Sequence, residues 1–116
     1  MPIVILIILL FPGQLLANEL AERAWNKCMA CHSLEEGKHG AGPSLFQLSG
    51  RKAGNVDGFK FSKAFRKSGI TWDAETLDAY LQNPMKYVPR NRMAFAGLKD
   101  DAERKALVCY LLDKEC

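Results

Sequence analysis

The hydrophobic positions of this chain fall into one unbroken run followed by three amphipathic stretches separated by long polar loops. The run, Met1-Pro-Ile-Val-Ile-Leu-Ile-Ile-Leu-Leu-Phe11, has the length of a signal-peptide core and is too short to cross roughly 30 Å of hydrocarbon at about 1.5 Å per residue. Pro12-Gly13 predicts a helix break, and Gln14-Leu-Leu-Ala17 presents a small residue before Asn18. Residues 1–17 are therefore expected to be a cleaved signal peptide and residues 18–116 the mature domain. No basic residue precedes the run, which keeps an uncleaved membrane tether as a second reading.

The three later stretches predict an all-α domain. A first helix is expected from about Asn18 to the cysteines that begin at Cys28, with Ala21 and Trp25 on one face at i, i+4 spacing. A second runs from about Asp73 to Gln82 and stops at Asn83-Pro84, because the residue before a proline resists helical geometry. A third starts near Asp100, where Glu103 three positions on suggests a capping box, and carries Leu107, Tyr110 and Leu111 on one face. Residues 47–69 are glycine-punctuated without a sustained period, so they should be loop with one short helical turn around Ser62 to Lys67. No strand, repeat or low-complexity tract is visible.

At 116 residues, 48% hydrophobic and 25% charged, the chain has room for one globular domain. Its formal charge of +3 lies wholly beyond residue 17. That mild excess suits attraction to acidic protein surfaces, while the lack of dense Lys/Arg blocks argues against a nucleic-acid partner. So small a domain has a thin core, and any apolar group it encloses adds stability.

Export implies an oxidising compartment in which free thiols rarely persist, so the four cysteines need assigned fates. Cys28-Met-Ala-Cys-His32 has C-x-x-C-H spacing, which lets two thiols one turn apart form thioethers with both vinyl groups of a haem and sets the histidine under the iron. A thioredoxin-like pair would follow a strand in a βαβ unit, whereas here a helical pattern precedes the motif. A structural zinc site would need a second ligand pair, and Cys109 and Cys116 stand seven apart at the far end. One covalent haem c is therefore expected, attached through Cys28 and Cys31, with His32 as an axial ligand.

Downstream, His39-Gly-Ala-Gly-Pro-Ser-Leu45 reads as a loop. A metal-bound imidazole is usually oriented by a hydrogen bond from its other ring nitrogen, and the carbonyl of Pro43 is the natural acceptor. His39 is expected to staple loops rather than to reach round the haem edge. For the sixth ligand, Met1 leaves with the signal and Met29 is fixed between the attached cysteines, leaving Met85 and Met93. Met93 is preferred, because Pro89-Arg-Asn-Arg-Met-Ala-Phe-Ala-Gly97 is an extended segment without helical period, whereas Met85 sits beside Pro84 at the end of a helical pattern. His/Met ligation leaves no open iron position and points to electron transfer.

These residues together resemble the class I cytochromes c, most closely the mitochondrial cytochrome c and bacterial cytochrome c2 group, over about residues 19–113. The carriers are the haem motif, His39 with Gly42-Pro43, Gly50-Arg51-Lys52, Gly69-Ile-Thr-Trp72, Thr76-Leu77 with Tyr80-Leu-Gln-Asn-Pro84, Lys86-Tyr87 with Pro89, and Met93-Ala-Phe-Ala-Gly97. The resemblance implies the small cytochrome c fold, three main helices and long loops wrapped around one covalently bound haem. It implies that His32 and Met93 are axial, that Pro43 braces His32, and that Arg51 and Trp72 meet a buried propionate. It further places Tyr80 beside the Met93 sulfur, Phe95 over the exposed haem edge, and Ala21 and Trp25 across from Leu107 and Tyr110. Three positions depart from the group: Ala21 stands for a usual glycine, Phe61 for a propionate-binding tyrosine, and Phe65 for an asparagine of a buried polar network.

Cys109 and Cys116 would lie about 10 Å apart on a straight helix, beyond the roughly 4.4–6.8 Å Cα span of a disulfide. A terminal staple is expected if the helix ends early, with free thiols or an intermolecular link at Cys116 as the other outcomes.

The function expected is a monomeric, non-enzymatic, periplasmic one-electron carrier with no small-molecule substrate. Six basic residues against one acidic residue between Arg51 and Lys67, and four against none between Pro84 and Lys99, should flank the haem edge and dock acidic redox surfaces. By resemblance, the donor is a quinol-oxidising cytochrome bc1-type complex, and the other partner an oxidase, a photosynthetic reaction centre or a periplasmic dehydrogenase. The rival reading is a haem enzyme or gas sensor with a labile Met93.

Overall fold

Pro12 begins the first helix instead of preventing it. In this computed structural model, which describes residues 1–9 and 11–113, helix α1 spans Pro12–Asn26, with Phe11 as N-cap and the proline at the first helical position. There the ring fixes a helical φ and the missing N–H has no intrahelical acceptor to lose. The expected helix is thus displaced: it starts upstream of Asn18 and stops short of the cysteines. Residues 1–9 form no regular element and are exposed.

The short turn expected near Ser62 is helix α2 (Lys63–Lys67), capped by the Ser62 hydroxyl, which accepts from the Phe65 N–H. Helix α3 (Ala74–Gln82) opens with a reciprocal box: Asp73 Oδ1 accepts from the Thr76 N–H at 2.9 Å, and Thr76 Oγ1 accepts from the Asp73 N–H at 3.0 Å. The proline that ends α3 then starts helix α4 (Pro84–Tyr87), which periodicity did not anticipate; Asn83 Oδ1 accepts from the Lys86 N–H at 3.2 Å.

Helix α5 (Asp101–Leu111) is capped as expected on one side only. Asp100 Oδ1 accepts from the Glu103 N–H at 2.8 Å, but the Glu103 carboxylate does not return to the cap. It takes Lys27 Nζ at 2.8 Å instead, tying the end of α1 to the start of α5. These two helices pack against one another, burying Ala21 and Ala24 on α1 and Leu107, Val108 and Leu111 on α5. The rings of Trp25 and Tyr110 meet at 6.2 Å.

α3 packs on the same helix, and buried Arg104 fastens the contact through Nε to Asp78 at 2.7 Å, with Nη2 to Asp101 at 2.8 Å and Nη1 to the Leu98 carbonyl at 3.0 Å. With one partner at each nitrogen, the buried cation is satisfied rather than stranded. Cys109 is disulfide-bonded; the pairing expected with Cys116 falls outside the described residues.

Among the described residues the only β pairing is an isolated antiparallel bridge between Lys52 and Thr71. Around it, Gly50 N–H donates to the Trp72 carbonyl at 2.8 Å, Trp72 N–H to the Arg51 carbonyl at 2.9 Å, and Ala53 N–H to the Ile70 carbonyl at 2.8 Å. Two loops distant in sequence are thereby joined, and Arg51 and Trp72 are brought together.

Candidate haem site

The cysteine motif follows α1 as a series of hydrogen-bonded turns. The Cys28 N–H donates to the Trp25 carbonyl at 2.8 Å, and the Cys31 and His32 N–H groups both donate to the Cys28 carbonyl, at 3.1 and 3.0 Å. Five residues therefore fix two thiols and an imidazole relative to one another. Cys28 is half-buried, and its Sγ donates to the Ala24 carbonyl at 3.6 Å, while Cys31 is exposed. Burial pushes the Cys28 thiol up, an effect that neighbouring Lys27 partly opposes.

The loop at residues 40–45 lies directly on this motif. Gly42 N–H donates to the Cys31 carbonyl at 2.9 Å and Leu45 N–H to the Ser33 carbonyl at 2.8 Å. A Cβ at Gly42 would come within 2.7 Å of both nitrogens of the His32 ring, so only glycine lets the backbone approach so closely. The next carbonyl, that of Pro43, lies 2.7 Å from His32 Nδ1. The carbonyl can only accept, so Nδ1 carries the proton and Nε2 keeps a free lone pair. Burial lowers the proton affinity of His32, the Pro43 contact opposes this, and Arg51 adds to the lowering. The neutral imidazole that results is the form that binds metals.

His39 is a loop staple. Its Nδ1 accepts from the Ser44 N–H at 2.9 Å and its Nε2 donates to the Asp57 carbonyl at 3.0 Å, so both ring nitrogens are engaged.

Met93 is held at three points. Its N–H donates to Asn91 Oδ1 at 2.8 Å, its carbonyl accepts from the Phe95 N–H at 2.9 Å, and its Sδ receives the Tyr80 hydroxyl at 3.4 Å. Burial pushes the Tyr80 phenol far above its usual range, so the hydroxyl remains a donor near neutrality. Met85, the other candidate, is exposed and does not line the cavity described next.

All nine residues singled out in the sequence, Cys28, Cys31, His32, Pro43, Arg51, Trp72, Tyr80, Met93 and Phe95, line one cavity of about 530 Å³. Its wall is aromatic: Phe59 and Phe61 meet at 4.9 Å, Phe61 and Phe65 at 6.3 Å, Phe65 and Tyr80 at 5.6 Å, and Trp72 and Tyr80 at 5.2 Å. The two departures at Phe61 and Phe65 are thus members of a continuous ring cluster. Arg51 spends Nη1 on the Ser44 and Phe46 carbonyls, both at 3.0 Å. Partial burial disfavours its charged form, so a carboxylate there would be favourably paired. A flat apolar macrocycle with acidic side arms, two vinyl groups and a metal that takes soft and imidazole donors fits this set.

Asn91 is the residue that sequence reasoning missed. It is 5% exposed and makes three hydrogen bonds, but nothing in its position between Pro89 and Gly97 distinguishes it from an ordinary loop asparagine.

Two thiols placed for thioether bonds, an oriented imidazole and a held thioether sulfur, around one cavity of an all-α chain, define a covalent c-type haem protein. The sequence profile described as Cytochrome c matches residues 18–114. The cytochrome c2 iso-2 of Magnetospirillum fulvum is 53% identical over 91 residues, covering 78% of this chain and 95% of that protein. The cytochrome c of Stellaria longipes is 46% identical over 88 residues, covering 75% of this chain and 82% of that one. Among solved structures, cytochrome cH from Methylobacterium extorquens superposes with a TM-score of 0.77 at 41% identity, covering 83% of this chain and 97% of that chain. The chain belongs to the cytochrome c family, and it is a small haem electron carrier whose single haem is attached through Cys28 and Cys31.

Proposed function

We propose that the protein is a monomeric, non-enzymatic one-electron carrier of the periplasm in which His32 and Met93 are the axial ligands. One observation carries the reading: an imidazole whose Nδ1 is taken up by the Pro43 carbonyl at 2.7 Å and a thioether whose sulfur is held by Tyr80 at 3.4 Å line the same cavity. When bound, the haem supplies a ferric/ferrous couple. The chain's contribution is to fill both axial positions, which leaves no site for substrate, and to fix each donor through a second residue. Arg51 and Trp72 would meet the propionates, and Phe95 would cover the haem edge.

Export is supported by how little residues 1–17 contribute to the fold: the buried residues of α1, Ala21 and Ala24, lie beyond them. Removing that segment leaves the packed face intact. No helix among the described residues is long and apolar enough to cross a membrane. The membrane-tethered form is the second reading, favoured by the exposed apolar residues before Leu10, and mass spectrometry of the mature N-terminus separates the two. The partners fitting this role are a cytochrome bc1-type complex and an oxidase, reaction centre or periplasmic dehydrogenase. Potentiometry tests the reading: one reversible one-electron wave is expected, and an irreversible or multi-electron response would overturn it.

A further inference from the structure

The segment carrying Met93 has no helix or strand to hold it. Residues 91–100 form no regular element, and Arg90 enters the segment at φ 67°, a left-handed conformation uncommon outside glycine. Its far end is tied by the Leu98 N–H to the Leu81 carbonyl at 2.7 Å, and next to Met93 it is fastened by the amide of Asn91. Its Nδ2 donates to the Pro84 carbonyl at 2.9 Å and to the Val88 carbonyl at 2.8 Å, the first residue and the C-cap of α4, while its Oδ1 accepts from the Met93 N–H at 2.8 Å. Pro84 and Val88 are themselves buried, so the anchor is rigid. Each polar atom of the amide is thereby used in a single bridge from helix to ligand segment.

We propose that Asn91 is a positioning residue that keeps Met93 at the cavity by tying its backbone to the buried Pro84 and Val88 of α4 and its cap. This rests on the reading of Met93 as an axial ligand. The hold on the sulfur by Tyr80 is independent of it, since Tyr80 comes from α3. Loss of the amide frees the Met93 backbone and raises the fraction of molecules in which Met93 is displaced. A competing ligand binds only that fraction, so its apparent affinity rises in proportion.

The test is titration of the ferric holoprotein with imidazole at neutral pH. Asn91→Leu keeps the branching at Cγ but makes none of the three bonds. Asn91→Asp keeps the acceptor for Met93 but sets a carboxylate against two carbonyls, and it serves if the leucine variant fails to load haem. Asp78→Asn weakens the fold at Arg104, away from the cavity, and controls for general loosening.

Apparent imidazole affinity is expected to rise about tenfold in the Asn91 variants, the size of one lost buried hydrogen bond, and to stay unchanged in Asp78→Asn. Unchanged affinity in the Asn91 variants, or an equal rise in Asp78→Asn, would overturn the proposal. If the wild-type ferric protein lacked a sulfur-to-iron charge-transfer band, the ligation reading would fall first and this inference with it.

Discussion

The Tyr80 hydroxyl donates to Sδ of Met93 across 3.4 Å, and its ring is enclosed by Phe65 at 5.6 Å and Trp72 at 5.2 Å. A hydrogen bond to a thioether draws electron density from the sulfur and so disfavours the ferric state it would otherwise stabilise. Tyr80→Phe is expected to lower the midpoint potential by a few tens of millivolts, the one-electron equivalent of about 0.5–1 kcal/mol. Potentiometric titration checks this; an unchanged or raised potential would show that the hydroxyl does not tune the iron.

Phe65 packs edge-on against Tyr80 and also meets Phe61 and Trp72. Phe65→Asn removes most of that ring and leaves a partly filled void, so denaturant unfolding should show a loss of about 2–4 kcal/mol. The new amide dipole favours the charged ferric centre, and the potential should fall as well. A variant as stable as wild type, with the same potential, would mean that the ring cluster is not structural and that pocket polarity is set elsewhere.

At Gly42 the restriction is steric. An added methyl would lie within 2.7 Å of the His32 ring nitrogens, so the loop must retreat and the Pro43 carbonyl with it. Gly42→Ala should cost about 1–3 kcal/mol and reduce the yield of low-spin holoprotein. A thermal melt coincident with wild type would contradict the close approach.

What the sequence made legible were features written within a few neighbouring residues. Cys28, Cys31 and His32 declare their chemistry by spacing, the helix read from about Asp73 to Gln82 lies within one residue of α3, and Pro43 follows from the need to orient His32. What it concealed depended on competition between distant partners. Glu103 had the local signature of a capping box, but Lys27 from the other end of the chain claimed its carboxylate. Pro12 and Pro84 read as breaks, yet each sits at the first position of a helix, because what a proline does depends on which side of it the helix lies. Asn91 acquires a role only when α4 is folded beside it.

Lys60 and Arg92 line the cavity and are exposed, within the two basic segments around it. If this face docks onto acidic redox partners, the bimolecular electron-transfer rate should fall as ionic strength rises from about 10 to 150 mM, as the screening length shortens. Lys60→Glu and Arg92→Glu should slow the reaction most at low salt. A rate indifferent to salt would exclude electrostatic docking.

The central claim is that His32 and Met93 hold the iron together, and the optical spectrum of the purified holoprotein tests it most directly, oxidised and reduced, with and without carbon monoxide. A sharp low-spin reduced spectrum, a weak near-infrared sulfur-to-iron band in the oxidised form that vanishes in Met93→Ala, and no response to carbon monoxide are expected. A high-spin spectrum or rapid carbon monoxide binding by the wild-type protein would contradict the claim and favour a haem enzyme or gas sensor with an open sixth position.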